Sequence, residues 1–302
     1  MEKKNCKLCN SNSNVSIKCR IDENNINSFK LFSKVKYNGE LDYFLNKNFD
    51  ISISFCDRCK FYWYTNTPTE KELIKMYQDS NLINPFNLNL NIDRVTTKNE
   101  LLLKSILRAH TSIYSSFNLP KSKIRLLDFG SGTGNFSRVA KKSGLDVTAY
   151  DPALNRNTLK NDENIAYFNN LNDLPKNYFD IIILNQVLEH VPNPLETLRV
   201  INEIGNQKAL IYISVPNIQT APEGKNIWED WPFKKNIHTM APFEHLNGFT
   251  PKALSVAIKE AGFKKLTFMS KVYFSIRYAF IDEIFNLFRF FGTTQILIIK
   301  QK

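Results

Sequence analysis

The chain has 302 residues, 43% hydrophobic and 23% charged, with 10 Gly and 12 Pro, proportions that exclude collagen, low-complexity disorder and coiled coil. Its 40 Lys and Arg against 29 Asp and Glu leave a net charge of +11, divided as +4 over residues 1–60, +1 over 61–250 and +6 over 251–302. A near-neutral middle with basic ends suits an anionic partner: a nucleotide, a phosphorylated sugar, nucleic acid or a membrane surface.

The opening MEKKNCKLCN carries charge but no apolar run, so no secretory signal is expected there. No uncharged apolar stretch reaches the length of a membrane span, and the sequence predicts a cytoplasmic protein. Four of the five cysteines form two pairs, Cys6-x-x-Cys9 and Cys56-x-x-Cys59. Each pair fits a tight turn that aims two thiolates at one ion, and together they supply the four sulfurs of a tetrahedral Zn²⁺ site. The strand-like stretch at 49–55 enters the second pair and Phe61-Tyr62-Trp63-Tyr64 leaves it, as in a β-ribbon. A redox dithiol would need one pair at a helix start after a strand, and neither pair has that setting. Residues 1–67 are therefore read as a zinc-binding module; four thiolates close the ion, so its role is structural. Cys19 is expected to be a buried free thiol.

Residues 68–120 read as a helical linker or cover. Thr69, with Glu72 three residues on, forms a capping box. Residues 81–93 are Asn-rich and aperiodic, a loop. From Val95 to Phe117, apolar residues recur at Leu102, Ile106, Ala109, Ile113 and Phe117, which gives one helical face. His110 on this helix is read as a surface or satisfied histidine.

Residues 121–302 carry the most informative pattern. An apolar strand over Ile124 to Leu127 ends at Asp128, then come Gly130, Ser131, Gly132, Thr133 and Gly134, and a helix begins near Asn135. The glycines let the backbone turn sharply and approach a ligand at the carboxyl end of a strand. A second strand ends in Asp151, 21 residues after Gly130, where a carboxylate can accept both ribose hydroxyls of an adenosine. The dinucleotide fingerprint needs glycine where Asn135 stands, and no Walker lysine is present. Strands alternating with helices read as a doubly wound α/β sheet.

The stretch LLDFGSGTGNF resembles motif I of the class I S-adenosylmethionine-dependent methyltransferases. The resemblance continues through AYDPA, FNNLNDLP, FDIIILNQVLEHVPNPLETL, ALIYISVPN and HLNGFTPKALSVAIKEAGF, about 180 residues in order. It implies a seven-stranded Rossmann-like methyltransferase sheet beside the small N-terminal zinc-binding domain. It also implies that Asp128, Gly130, Ser131, Gly132 and Gly134 line the methionine and ribose part of S-adenosylmethionine, and that Asp151 holds the ribose diol. Asn170 and Leu171 would border adenine, with Asn where the family often has Asp; Asn185 and Gln186 would face the methionyl group. The four cysteines ahead of this domain make the whole similar to bacterial sugar methyltransferases, although the further C-terminal domain of that group is not in this sequence.

Methyl transfer from a sulfonium is an in-line displacement, so the protein aligns the nucleophile, excludes water and removes a proton where needed. Glu189 and His190 follow the fourth strand, and an insert after the fifth holds His238, Glu244 and His245. The segment EHLNGFT resembles the one in which sugar C-methyltransferases place a histidine base, which makes His245 the first choice, with His190 and Glu189 beside it; the bland reading of His190 is a ring bonded to nearby backbone. Glu189, His190 and a later histidine also resemble part of the metal site of small-RNA ribose methyltransferases, with Gln186 where those have a glutamate. Trp228, Trp231 and Phe233 are read as a wall or lid, and residues 278–291 as a buried or lid helix. The expected function is methyl transfer to a small phosphate-bearing acceptor, a nucleotide-linked or phosphorylated sugar, with nucleic acid not the expected partner and the oligomeric state left open. The alternatives are an O-methyltransferase of RNA ribose or of a quinone-type substrate, and a non-catalytic protein that binds the cofactor.

Overall fold

The computed structural model describes residues 5–47, 49–78, 92–114, 120–153, 165–219, 239–265 and 293–300. His238, Trp228, Trp231, Phe233, most of the 81–93 loop and the 278–291 segment lie outside them. Two sheets organise the described chain.

The smaller sheet begins with β1 (Val15–Arg20), β2 (Ser52–Cys56) and β3 (Phe61–Tyr64), antiparallel in that order. Between β1 and β2 run helices α1 (Ile26–Tyr37) and α2 (Asp42–Asn46), whose Phe29, Phe32, Tyr37 and Phe44 pack with Ile51, Ile53 and Tyr64. The β2–β3 turn is the second cysteine pair. Cys19 is half-buried rather than buried, and its surroundings push the thiol up to about 12, which leaves it inert.

Helix α3 (Glu70–Gln78) opens with the expected capping box: Thr69 Oγ1 accepts from the Glu72 amide (3.3 Å) and Glu72 Oε2 accepts from the Thr69 amide (2.8 Å). Helix α4 (Ile92–Tyr114) buries Leu102, Ile106 and Ala109, so the 3.6-residue spacing identified its packed face. His110 points inward with them, its ring 5.2 Å from that of Tyr114.

The larger sheet comprises β4 (Arg125–Phe129), β5 (Asp146–Tyr150), β6 (Ala166–Phe168), β7 (Phe179–Asn185), β8 (Gly205–Pro216), β10 (Phe263–Lys265) and β11 (Thr293–Lys300). Their spatial order is β10-β11-β8-β7-β4-β5-β6, parallel from β8 to β6, with β11 antiparallel to β8 and to β10. The interior strands are continuous apolar runs because both faces are covered. Ile181 and Ile183 face α4 and α5 (Asn135–Lys142), while Ile182 and Leu184 face α6 (Pro194–Ile204) and α7 (Pro251–Glu260). No helix among the described residues is long and apolar enough to cross a membrane.

One strand departs from chain order. β9 (Asn247–Gly248), inside the stretch assigned to the second domain, pairs with β3 of the N-terminal sheet, Tyr62 opposite Gly248 and Trp63 opposite Asn247. It satisfies the open edge of β3, where the Tyr64 amide also donates to the Leu246 carbonyl (3.0 Å). A Cβ at Gly248 would approach Ile218 Cδ1 and Met240 Sδ to 2.7 and 2.8 Å, so glycine lets this short strand sit close against its neighbours.

Candidate active site

From β4 the chain passes to β5 and β6 on one side, then returns to β7 on the other. That reversal opens a crevice at the carboxyl ends of β4 and β7, the place where open α/β sheets bind ligands. A cleft of about 370 Å³ occupies it, lined by Gly130, Gly132, Asp151, Leu171, Gln186 and His190, with Tyr150 and Val187 between them and Leu73 and Ile74 of α3 as a cover.

The glycine turn is shaped for close approach. Gly130, Gly132 and Gly134 adopt φ of 77°, 51° and 75°, the left-handed region that costs other residues energy. A Cβ at Gly130 would meet Val187 Cγ2 at 2.6 Å, whereas one at Gly132 would enter open space on the cleft side. The Gly130 and Ser131 amides donate to the Tyr150 carbonyl, anchoring the turn to β5. Ser131 Oγ is buried and finds no partner among the described residues, as a group waiting for a ligand would be.

Asp151 directly follows β5, its Oδ2 accepting from the Gly132 amide (2.9 Å) and its Oδ1 from the Ala153 amide (2.9 Å). Each oxygen keeps a lone pair for a ribose hydroxyl. Asp128 is placed differently from a cofactor-lining residue. Its carboxylate is buried and accepts from Ser137 Oγ (2.6 Å) on α5, so it ties strand to helix beneath the turn; burial pushes its pKa up to about 6. Asn170 caps the short 3₁₀ turn Leu171–Asp173 by accepting from the Asn172 amide (3.1 Å). Asn185 is exposed at the end of β7, and Gln186 follows in the left-handed region (φ 58°), its Nε2 donating to Ser214 Oγ (3.0 Å). Such a conformation at a non-glycine residue concentrates at functional sites.

His190 lines the same cleft, with Glu189 and His245 buried beside it. His190 Nδ1 lies 2.7 Å from the Glu244 carbonyl, which only accepts, so Nδ1 carries the proton and Nε2 the lone pair. Burial holds the His190 pKa below the usual histidine range, favouring the neutral ring. The His245 ring packs edge-on behind it, centroids 4.7 Å apart, and is itself buried. Glu189 is 1% exposed, and neither carboxyl oxygen has a hydrogen-bond partner among the described residues; burial pushes its pKa up to about 8. Its Oε1 is 3.8 Å from His190 Nε2, and ligand-capable atoms of all three residues lie within 4.8 Å of one another. The histidine pair was legible in the sequence; Leu73, Ile74 and Tyr150 were not, because apolar lining residues carry the same pattern as core.

The four paired cysteines converge, with Cys6 Sγ 3.5 Å from Cys59 Sγ and Cys9 Sγ 3.7 Å from Cys56 Sγ. A tetrahedral zinc with Zn–S bonds of about 2.3 Å holds its sulfurs roughly 3.8 Å apart, so the cluster fits that ion. The short Cys6–Cys59 contact pulls one thiol of the pair well below the ordinary cysteine range and pushes the other up, as sulfurs crowded at one point require.

Comparisons with known proteins agree with this geometry. A family model described as a methyltransferase domain matches residues 101–267, more than half of the chain. The plantazolicin methyltransferase BamL, solved with a triazolic desmethylPZN analog and SAH, superposes with a TM-score of 0.52 at 14% identity, covering 78% of this chain and 92% of that one. The plantazolicin methyltransferase BpumL, solved with a monoazolic analog and SAH, gives 0.51 at 14% identity, covering 77% and 97%. At that identity they establish the fold. No curated protein matches the chain.

Proposed function

The chain belongs to the methyltransferase-domain family, and we propose that it transfers the methyl group of S-adenosylmethionine to a small phosphate-bearing acceptor, a nucleotide-linked or phosphorylated sugar. The carrying observation is the switch-point cleft, with its left-handed glycine turn, the Asp151 carboxylate and the orphaned Ser131 Oγ on one side and the histidine pair on the other. S-Adenosylmethionine supplies an electrophilic methyl on a sulfonium. Asp151 accepts the ribose hydroxyls, Asn170 and Leu171 border adenine, and Gly130, Ser131, Gly132 and Gly134 let the methionyl part lie against backbone. Asp128 acts from beneath, bracing the turn through Ser137. Asn185 and Gln186 lie between the two halves at the end of β7.

On the acceptor side His190, on the cleft wall with its Nε2 lone pair available, takes the acceptor's proton as the methyl arrives, and His245, packed edge-on behind it, supports that ring. A neutral imidazole suits this task near pH 7, and Glu189 completes the group. Four thiolates hold one structural Zn²⁺ through Cys6, Cys9, Cys56 and Cys59. Residues 1–67 form that module, 68–120 the cover that contributes Leu73 and Ile74, and 121–302 the catalytic domain. Basic chain ends favour the phosphate of the acceptor.

The test has two parts. Calorimetry should show binding of S-adenosylhomocysteine, and mass spectrometry of a panel of nucleotide sugars incubated with S-adenosylmethionine should show a single added methyl. Absence of cofactor binding would reject the reading; binding without turnover on any acceptor would favour a non-catalytic binder. A second reading, O-methylation of a ribose or quinone-type hydroxyl assisted by a divalent ion on Glu189, His190 and His245, is favoured by the unpartnered Glu189 carboxyl. Metal titration with Glu189→Gln as control tests it.

A further inference from the structure

The two loops that carry the acceptor-side groups are both tied to the N-terminal sheet. From the first cysteine turn, Lys7 Nζ donates to the Pro192 carbonyl (3.0 Å), two residues past His190. From β3, Tyr64 OH donates to the Met240 carbonyl (3.0 Å) and β9 pairs directly beyond His245. From the end of α1, Tyr37 OH donates to Glu244 Oε2 (2.8 Å), across 207 residues of sequence. The two loops are also tied to each other, because Asn247 Nδ2 donates to the Leu188 and Val191 carbonyls (3.0 and 2.7 Å). The glycine turn is held instead by β5, through Tyr150 and Asp151.

Resting on the methyltransferase reading, we propose that Tyr37 is a positioning residue for His190: the N-terminal module, through Tyr37 and Glu244, fixes which nitrogen of His190 bears the proton. The chain of contacts is short. The phenol is 3% exposed and its ring packs edge-on against Phe32 at 5.5 Å, so its hydroxyl is aimed by packing. It anchors the Glu244 carboxylate with a charge-assisted bond. That anchors the residue whose carbonyl faces His190 Nδ1 at 2.7 Å. A carbonyl held there selects the Nδ1–H tautomer and turns the Nε2 lone pair to the cleft, the form a base or a ligand needs. A free-running Glu244 would let both tautomers populate. The cofactor half of the cleft does not take part in this chain.

The chain has four histidines, which makes ¹⁵N-histidine labelling of the whole protein tractable. Each signal is assigned by single His→Gln variants, and the imidazole shifts report the tautomer directly. In the wild-type protein at neutral pH, His190 should show a protonated Nδ1 and an unprotonated Nε2. Tyr37→Phe keeps the ring and its packing, and should replace that pattern with averaged shifts at both nitrogens. Glu244→Ala should do the same, and the double variant should be no worse than either single, because both lie on one chain of contacts. Glu244→Gln, which still accepts from Tyr37, should restore the wild-type pattern. S-Adenosylhomocysteine affinity should stay within about twofold throughout, within the scatter expected of distant independent sites. An unchanged His190 pattern in folded Tyr37→Phe, or additive effects in the double variant, would overturn the proposal. Failure of the wild-type protein to bind S-adenosylhomocysteine would instead overturn the methyltransferase reading, and the two outcomes are read in separate experiments.

Discussion

Replacing Asp151 by Ala probes the cofactor half most directly. Its two oxygens accept the Gly132 and Ala153 amides, both at 2.9 Å, and each has a lone pair left for one ribose hydroxyl. Hydrogen bonds to a charged group contribute about 1.5–3 kcal/mol each, and the lower end applies here because Asp151 is half-exposed and water competes. Losing both ribose contacts should therefore cost about 2–3 kcal/mol, or roughly 30- to 150-fold in Kd. The variant also frees the Gly132 amide, so the turn loosens and stability should drop by about 1 kcal/mol. Asp151→Asn keeps one acceptor oxygen but points an amide N–H at one of the two backbone donors, and should recover about half of the affinity lost. Calorimetry with S-adenosylhomocysteine measures both variants, with Asp146→Ala at the exposed start of β5 as the control. Wild-type affinity in folded Asp151→Ala would refute the placement of the adenosine.

Purified protein should carry one zinc per chain by elemental analysis, and Cys56→Ser should lose it and unfold the N-terminal sheet, because its four sulfurs already stand at zinc-binding separations. Gly130→Ala should lower stability by about 2–4 kcal/mol in urea titrations, since φ of 77° and a 2.6 Å approach to Val187 oppose any side chain. Burial pushes the Asp128 pKa from the ordinary 3.8 up to about 6, so between those values the folded state keeps a proton that the unfolded chain has lost. The Asp128 share of stability should therefore fall by roughly 3 kcal/mol as pH rises from about 4 to about 6; Asp128→Asn should remove that share and leave the fall due to Glu189, which runs on to about 8. A fall of unchanged size between about pH 4 and 6 in the variant would refute the share assigned to Asp128.

The glycine turn, the capping box at Thr69 and the two cysteine pairs were legible because each is written within a few residues. Local rules of chirality, helix ends and metal geometry leave marks at fixed short spacings. The doubly wound sheet was legible for a similar reason, as strands alternate with helices over 121–265, while its count of seven strands was implied by the family resemblance. What escaped depends on distant partners. Asp128 stands where a cofactor ligand is expected, and only the fold shows its carboxylate turned to Ser137. β9 is two residues long, too short for any periodicity, and is a strand only because β3 offers an edge. Tyr37 reads as one more core aromatic of α1 until Glu244 is brought beside it. The sequence makes His245 the first choice of base; chain order does not show that the His190 ring lines the cleft while the His245 ring packs edge-on against it.

The pairing of β3 with residues 247–248 also sets a timetable for synthesis. A ribosome releases residues 1–64 long before it reaches Asn247, so the hairpin that carries the cysteines emerges with one edge bare. That edge stays open until nearly all of the parallel sheet has been made, and closing so long a loop is a slow step. A metal ion bound early at the cysteines would hold the hairpin through this interval, when its exposed edge could otherwise pair with a neighbouring nascent chain. Cells starved of zinc should then accumulate this protein as aggregate rather than as an inactive monomer, and the damage would be done before the last strand is translated.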